Sequence, residues 1–433
     1  MSSFFCMINS FKFRTFSINI VNINFVIFII SLLIKPISIY SQEVIQNNAT
    51  YKSSFVSFIK DIKLSEIDSI HIQLLTIDTL PHVTTVFGHS ALRVFQENQN
   101  NQKDYFIDFG VYDESVSFIW RFLKGEAKFF ITVIPMKIAY SQWDSTGRGL
   151  YASEFILNPE QKLKFLSNLN ALILKHEDGY YYDNFTNNCV TFIRDLVNTT
   201  LEREISLETE SNKRTWRSRL IPYSDNIIWL RISEKLLLDH DTDKIRTGSE
   251  LIYLPFDLLI SLEDAKLVKD KQVLHNNLWR LPRISIDILG NLTFFYLIFI
   301  ILSQIPIFFK ARLESRGIQL FCLLSGIAGI YSLPVWLFTS FPFMNETLMI
   351  LVYTPFDFIL LFRENLSKKF HLGYVGLRLV MLFTALILRN TIYLQNIDTS
   401  LFFTLVFFII YLYNLIIDNK NKSTELNEAK GIS

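Results

Sequence analysis

Cys189 is the only cysteine in the polar part of this 433-residue chain, which runs from about residue 42 to about residue 283. It lies in residues 187–195, NNCVTFIRD, where a polar turn leads into an amphipathic helix. A thiol in the first turn of a helix lies at the positive end of the helix dipole, which favours the nucleophilic thiolate. A buried structural cysteine is the competing interpretation. The position and the polar lead-in favour a nucleophile.

The candidate base is His89, a hundred residues upstream in the run VFGHSALRV of residues 86–94. It follows a glycine and opens an apolar, β-branched run, which predicts a strand with a histidine at its edge. Most single histidines are structural, and His82 is the main competitor for the role of base. A cysteine–histidine pair also needs a third group to orient the imidazole. Asp108, on the predicted neighbouring strand, is the candidate for that group, although a surface aspartate would look the same.

Further residues near these three are candidates for supporting roles. Asn188 and the Cys189 N–H could form an oxyanion hole, but a helix cap explains Asn188 equally well. Tyr182 is a second support candidate, within a tyrosine run that is more typical of packing. Four arginines are candidate phosphate or lipid contacts, with surface or salt-bridge roles as the default: Arg93, Arg121, Arg148 and Arg194.

Composition restricts the class of protein. Half of the residues are hydrophobic, and they are concentrated in the first forty and the last hundred and fifty positions. The net charge is +1, whereas a nucleic-acid binder would show a basic face or stripe, so no nucleic-acid partner is expected. The chain has no cysteine and histidine cluster of the zinc type, and no metal or other cofactor is expected.

The N-terminus resembles an export signal. Lys12 and Arg14 precede the apolar segment 18–34, and the small residue Ser41 follows it. This order predicts a secretory signal peptide over residues 1–41, or an uncleaved membrane anchor. Both interpretations export the segment that follows.

Residues 42–283 have the pattern of one α/β domain. Alternating or apolar runs predict strands at 69–77, 91–95, 105–109, 129–134 and 154–157, with residues 97–103 as a hairpin loop. Helical spacing and capping residues predict helices at 115–124, 158–175, from 189 onward, at 216–220 and at 258–267.

The chain becomes apolar after Pro282. Five segments are candidate membrane spans: 288–309, 318–338, 348–362 (short, and therefore tilted or re-entrant), 372–388 and 401–417. Two connections are basic, with Lys310, Arg312 and Arg316 in one and Arg363, Lys368 and Lys369 in the other, whereas 339–345 has neither Lys nor Arg. The positive-inside rule therefore places the basic connections in the cytoplasm and residues 42–283 outside.

The predicted layout has four parts: a signal peptide or anchor (1–41), an exported domain (42–283), five membrane helices (284–418) and a cytoplasmic tail (419–433). Asp357 and Arg378 fall within or near the spans, where charge is usually functional or internal to the bundle.

Several motifs together resemble the Lnb family of lipoprotein N-acyltransferases. They are FGHSALRV at 87–94, DFG at 108–110, RG at 148–149, NCVTFIRD at 188–195 and YLP at 253–255. The order of histidine on a strand and Asn-Cys at a helix is similar, more distantly, to NlpC/P60 and lecithin:retinol acyltransferase-type domains. The resemblance implies an α+β fold, with an exported permuted papain-like domain followed by an α-helical transmembrane bundle in the inner membrane.

The same resemblance implies an acyltransferase reaction. Cys189, with His89 as base, would take an acyl chain from a membrane phospholipid and pass it to the N-terminal amine of a diacylglyceryl lipoprotein. Two other functions remain open: a cell-wall peptidase or amidase of the NlpC/P60 kind, and a non-catalytic membrane sensor or scaffold. The peptidase does not need five membrane segments, and intact Cys189 and His89 argue against the scaffold.

Overall fold

The structure is a computed structural model that describes residues 40–80, 84–97, 103–112, 115, 117–210, 213–224, 227–276, 312–393, 395, 397 and 400–429. The predicted signal segment, most of the 97–103 hairpin loop, His82 and the apolar segment 288–309 lie outside these residues.

A single seven-stranded antiparallel sheet organises the polar part of the chain. Its strand order is β6-β4-β3-β2-β1-β5-β7. The strands are β1 (Ile70–Ile77), β2 (His89–Gln96), β3 (Asp104–Tyr112), β4 (Lys128–Pro135), β5 (Leu150–Phe155), β6 (Tyr180–Tyr181) and β7 (Val268–His275). The predicted α+β class is confirmed, and β1 to β4 lie where the alternating runs indicate.

The same part of the chain contains eight α-helices among the described residues: Tyr40–Asp61, Phe118–Leu123, Met136–Thr146, Pro159–Lys175, Cys189–Leu201, Trp216–Leu220, Ile228–Leu237 and Pro255–Asp264. Local sequence explains several of their starts. Asn158 accepts a hydrogen bond from the Gln161 N–H while the Gln161 side chain bonds back, and Pro159 occupies the first position of that helix. The Pro255–Asp264 helix begins three residues before the predicted start, at its proline.

Two apolar layers cover the sheet because successive strand residues point to opposite faces. Ile72 and Leu74 belong to the larger core, which includes residues of the Pro159–Lys175 and Cys189–Leu201 helices. Leu75 and Ile77 belong to a smaller core with residues of the Met136–Thr146 helix. The Cys189–Leu201 helix packs against β2 and β3, which brings its first residue to the strand that begins with His89.

The C-terminal part is helical. It contains the α-helices Arg312–Phe338, Met349–Val352, Lys368–Leu388 and Ser400–Ala429, and a 3₁₀ segment at Pro355–Asn365. Within the described residues, Phe321–Phe338 and Lys368–Tyr393 are long and apolar enough to cross a membrane, whereas the apolar stretches Met349–Phe362 and Leu401–Tyr413 are shorter. The five-helix membrane domain stays a prediction, as does the permuted papain-like arrangement of the sheet domain.

Asp357 and Arg378 form a buried ion pair between these helices. Both side chains are 0 % exposed, and Arg378 Nε donates to Asp357 Oδ1 over 2.8 Å. Asp357 also accepts hydrogen bonds from Ser325 and from the Tyr374 hydroxyl, and Arg378 donates to the carbonyl oxygens of Leu351 and Val352. The pair is therefore internal to the bundle and connects four of its segments.

Residues 339–348, here called the 339–348 loop, connect two helices of the C-terminal part and contact the sheet domain. Ser340 donates through its N–H and its hydroxyl to the Lys124 carbonyl, over 2.9 and 2.8 Å. The Asp239 N–H donates to the Phe343 carbonyl, and Asp239 Oδ2 accepts from the Glu346 N–H. Gln395 adds a bond to the Leu238 carbonyl. The two parts of the chain are in direct contact through this loop.

Candidate active site

His89 is the first residue of β2 and is positioned by the glycine before it. Gly88 has a φ of +76°, a left-handed conformation in which side chains are strained. A Cβ at Gly88 would also lie 2.9 Å from the Ile77 carbonyl oxygen. The glycine therefore lets the chain turn tightly against β1 before His89 pairs with Ile77.

Asp108 orients the His89 ring. The two residues lie on adjacent strands, and His89 Nε2 donates to Asp108 Oδ1 over 2.8 Å. Their side chains are 19 % and 20 % exposed, so the pair is largely removed from water. The Gly110 N–H also donates to Asp108 Oδ1, over 2.7 Å, within a β-bulge between Asp108 and Val111. Asp108 thus has the geometry of a histidine-orienting carboxylate.

Cys189 begins its helix because Asn188 caps it. Asn188 Oδ1 accepts from the N–H groups of Val190 and Thr191, and the Thr191 hydroxyl accepts from the Asn188 N–H. The two hydrogens of the Asn188 amide go to the carbonyls of Asn184 and Tyr253. The side chain is therefore fully used in fixing the turn, and of the two roles that the sequence leaves open for Asn188 the structure shows the helix cap.

The Cys189 thiol lies close enough to the His89 imidazole for the charges of the two groups to interact. Because Asp108 occupies Nε2, the ring nitrogen left to face the thiol is Nδ1. Burial lowers the pKa of His89, but the charges of Asp108 and Cys189 and the hydrogen bond to Asp108 raise it to about 10. Burial by itself raises the pKa of Asp108, yet the charge and hydrogen bond of His89, the Gly110 N–H and Arg148 together hold it below its usual value. The site therefore favours a protonated imidazole beside an ionised carboxylate.

Arg148 is the candidate arginine that the structure brings to this site. Its Nε and Nη2 donate to the Asp78 carbonyl over 2.9 and 2.8 Å, at the end of β1. Burial lowers the pKa of Arg148, and the charges of Asp78, Asp108 and Cys189 raise it. The effect of burial is the larger, so the pKa falls to about 10. The guanidinium charge therefore acts on both the thiol and the orienting carboxylate.

Tyr182 also lies beside the thiol. Burial first, and then the charge of Cys189, raise the pKa of its phenol. Its ring stacks on Phe129 at a centroid distance of 4.3 Å, and its hydroxyl has no hydrogen-bond partner among the residues that the structure describes. The Cys189 N–H likewise donates to no acceptor within the described part of the chain. These two groups are available to a negatively charged oxygen.

The other three candidate arginines are engaged elsewhere. Arg93 forms a bidentate pair of hydrogen bonds with the Asp104 carboxylate, over 2.8 and 2.7 Å. Arg121 donates to the Ser115 hydroxyl. Arg194 donates to Asp195 and to the carbonyls of Ser249 and Ile252. None of these hydrogen bonds joins the three arginines to Cys189 or His89.

Two residues with a part in the site carry little signal in the sequence. A Cβ at Gly110 would lie 2.7 Å from His89 Cε1, so the glycine leaves room for the ring. Tyr180 donates to the Phe109 carbonyl and is buried. Burial raises the pKa of its phenol, and the charge of the nearby Cys189 adds to that rise. Gly110 is the last residue of the DFG motif at 108–110, which does not by itself assign the glycine a role, and Tyr180 falls in the tyrosine run that is typical of packing.

Aromatic contacts link the site to the 339–348 loop. Phe185, four residues before Cys189, packs edge-to-face on Phe343 at 4.8 Å between ring centroids. Phe122 contacts the Tyr182 ring at 5.8 Å and the Phe341 ring at 6.2 Å. The thiol therefore lies on the side of the sheet domain that meets the helical part.

Residues 60–222 match the family model of the Lnb N-terminal periplasmic domain. This part of the chain is therefore similar to the N-terminal domain of the Lnb family. The matched residues include Cys189, His89, Asp108, Arg148 and Tyr182 of the Lnb-type domain, whereas Tyr253, which bonds to Asn188, lies beyond them. Searches of curated proteins and of solved structures gave no match to the chain.

The family description and the apolar helices indicate a membrane protein with an exported Lnb-type domain. Among the described residues, no group of three or more His, Cys, Asp or Glu side chains could hold a metal ion. The site therefore combines a thiol, an imidazole and a carboxylate.

Proposed function

We propose that this protein is a membrane-bound thiol acyltransferase that moves an acyl chain from a phospholipid, through a thioester on Cys189, to the N-terminal amine of diacylglyceryl lipoproteins. The observation that carries the proposal is the Cys189–His89–Asp108 arrangement on the face of the Lnb-type domain that contacts the apolar helices. A nucleophile at that position is close to lipid esters.

In the first half-reaction, His89 takes the thiol proton and the Cys189 thiolate attacks the ester carbonyl carbon. The tetrahedral intermediate collapses, the bond to the glycerol oxygen breaks, and protonated His89 returns its proton to that oxygen. The products are a Cys189 thioester and a lysophospholipid. Asp108 keeps Nε2 engaged, so Nδ1 remains directed at the reacting atoms.

In the second half-reaction, the α-amine of the lipoprotein attacks the thioester carbonyl. His89 accepts a proton from the amine and transfers one to the departing thiolate, so that an amide forms and the free thiol returns. A thioester suits an amine acceptor because it undergoes aminolysis more readily than an oxygen ester. Water as acceptor would give hydrolysis in place of transfer.

Both half-reactions place negative charge on a carbonyl oxygen. The Cys189 N–H and the Tyr182 hydroxyl are the two donors available for it, and the helix dipole adds to their effect. Asn188 contributes by fixing the turn that presents the Cys189 N–H.

The contacts of the 339–348 loop support the proposed membrane topology. The 339–348 loop, which contains no Lys or Arg, contacts the sheet domain, and so does Gln395. Both lie at the same end of the long helices. Lys368 and Lys369 begin the Lys368–Leu388 helix at its other end. This alternation agrees with basic connections in the cytoplasm and an exported catalytic domain. We therefore propose a multi-pass inner-membrane protein whose parts end at residues 41, 283 and 418, followed by a cytoplasmic tail.

The test is mass spectrometry of lipoprotein N-termini from three strains: one with the gene, one without it, and one with Cys189→Ala. We expect triacylated N-termini in the first strain and diacylated ones with a free amine in the other two. Unchanged N-acylation in all three would refute the proposal. Release of muropeptide fragments that depends on Cys189 would instead favour a cell-wall peptidase.

A further inference from the structure

The half-buried guanidinium of Arg148 is a charged group beside Cys189 that takes part in neither half-reaction. Arg148 precedes β5, and both His89 and Leu150 pair with Ile77 of the central strand β1. The arginine and the catalytic histidine therefore lie at the same end of the sheet, on either side of β1.

The arginine is held rigidly. Its Nε and Nη2 share the Asp78 carbonyl, the Asp78 N–H donates to the Gly149 carbonyl over 2.9 Å, and the Arg148 carbonyl is bonded to the His275 ring. The carboxylate of Asp78 accepts from the Tyr151 hydroxyl over 3.0 Å. A guanidinium fixed by backbone contacts keeps its direction whether or not a ligand is present.

Part of the guanidinium is left for a ligand. Nη1 has no acceptor among the described residues. It is not a buried atom, so solvent can reach it. Arg93 uses all three of its nitrogens on Asp104 and Gln73, and Arg194 bonds to Asp195 and to backbone carbonyls, with no hydrogen bond to Cys189 or His89. Arg148 is thus the candidate arginine with a free, exposed donor at the site.

We propose that Arg148 binds the phosphodiester of the acyl donor and so selects a phospholipid over a neutral lipid ester. In a glycerophospholipid, the phosphate is only a few bonds from the ester carbonyl. A donor whose carbonyl contacts Cys189 therefore places its phosphate within the reach of a neighbouring guanidinium, which is well suited to phosphate oxygens. This inference rests on the proposed acyltransferase function and names the residue that recognises the phosphate of its donor.

The experiment compares two donors with the same acyl chains, a phosphatidylglycerol and a diacylglycerol. Full-length protein in detergent micelles is mixed with each donor, and the rate of acyl addition to Cys189 is followed by intact mass. We expect Arg148→Gln to slow acylation from the phosphatidyl donor about 10- to 100-fold, the usual effect of losing a hydrogen bond to a charged group. Because the Arg148 charge also acts on the thiol, the diacylglycerol rate should fall as well, but at least about fivefold less than the phosphatidyl rate, and Arg148→Lys should restore part of the phosphatidyl rate.

Arg194→Gln is the matched control, because it removes another half-buried arginine that is held by hydrogen bonds to backbone carbonyls. It should change the ratio of the two donor rates by less than about twofold, since its donors do not face the thiol. Alkylation of Cys189 by neutral iodoacetamide reports separately on folding and on the thiolate. Equal losses with both donors in Arg148→Gln, or no loss with either, would overturn the assignment.

The outcomes separate this inference from the function beneath it. If the unaltered protein accepts no acyl chain on Cys189 from either donor, the acyltransferase proposal fails. If it is acylated by both donors and Arg148→Gln leaves their ratio unchanged, only the role of Arg148 fails.

Discussion

His89 Nε2 and Asp108 Oδ1 are 2.8 Å apart, although the residues lie on different strands and are separated by a hairpin. The bond fixes one ring nitrogen on the carboxylate and leaves the other for Cys189. It also explains why the histidine is poised as an acid as well as a base, because the same carboxylate supports the imidazolium form.

Replacement of His89 by alanine should slow acylation of Cys189 by about 10²- to 10⁴-fold, the usual contribution of a general acid–base group. The control is His71→Ala. His71 lies on the adjacent strand, stacks on Phe95 and bonds to Glu154, away from the thiol. Rates measured by intact mass should fall in the first variant and hold in the second. Equal effects in both would show that the loss is structural.

Asp108→Asn should move the alkaline limit of activity to lower pH. In the native protein His89 has a pKa of about 10, so it loses its proton, and its ability to protonate the leaving oxygen, as the pH rises through that value. The raised pKa also contributes stability that is complete below its ordinary value of 6.5 and is lost as the pH rises through about 10.

Because the Asp108→Asn substitution removes a negative charge from beside His89, both the activity limit and the stability loss should occur at lower pH in this variant. Acylation rates and unfolding midpoints across the alkaline range provide the measurement. An alkaline limit that is identical in the two proteins would contradict the assigned role of Asp108.

Asn188→Ala should lower the free energy of unfolding by about 2 kcal/mol, because it removes a helix cap and leaves two N–H groups and two carbonyls without their partner. It should also slow alkylation of Cys189, since the turn that presents the thiol is released. The comparison is Asn158→Ala, which removes the cap of the Pro159–Lys175 helix at an exposed site. That variant should cost about 1 kcal/mol and leave the thiol unaffected. Equal thiol reactivity in both variants would show that Asn188 does not position the Cys189 thiol.

Asp357→Leu should destabilise the helical part by about 3 to 5 kcal/mol, because it leaves a fully buried Arg378 without its counter-charge. The double variant Asp357→Leu/Arg378→Leu should recover a large share of this loss. Thermal unfolding in detergent is the measurement. A double variant as unstable as the single one would show that the Asp357–Arg378 pair stabilises the helices by more than the neutralisation of its two charges.

Sequence motifs located the chemistry better than they assigned each residue its role. The Cys189 helix, its polar lead-in and the histidine at the edge of β2 are local patterns, so they were predictable. Asp108 was predictable as the hairpin neighbour of His89. Arg148 could not be distinguished from Arg93, Arg121 and Arg194, because its position depends on β5 pairing with β1 across some 70 residues.

Other features were hidden for physical reasons. The edge strand β7 is charged and largely exposed, so it lacks the apolar alternation of a half-buried strand. Asn188 has the same sequence signature as a cap and as an oxyanion donor, and only its four hydrogen bonds distinguish the two. The contact of the 339–348 loop with the sheet domain is a long-range relationship that no local pattern encodes.

The most direct test of the proposed mechanism is to trap the acyl-enzyme. Purified full-length protein is incubated with a phospholipid labelled in its acyl chain, without any amine acceptor, and the labelled residue is identified by peptide mass spectrometry. We predict label on Cys189 that hydroxylamine removes, an equal amount of lysophospholipid, and no label in Cys189→Ala. Label that persists in Cys189→Ala, or the absence of any label on an intact, alkylatable Cys189, would contradict the mechanism.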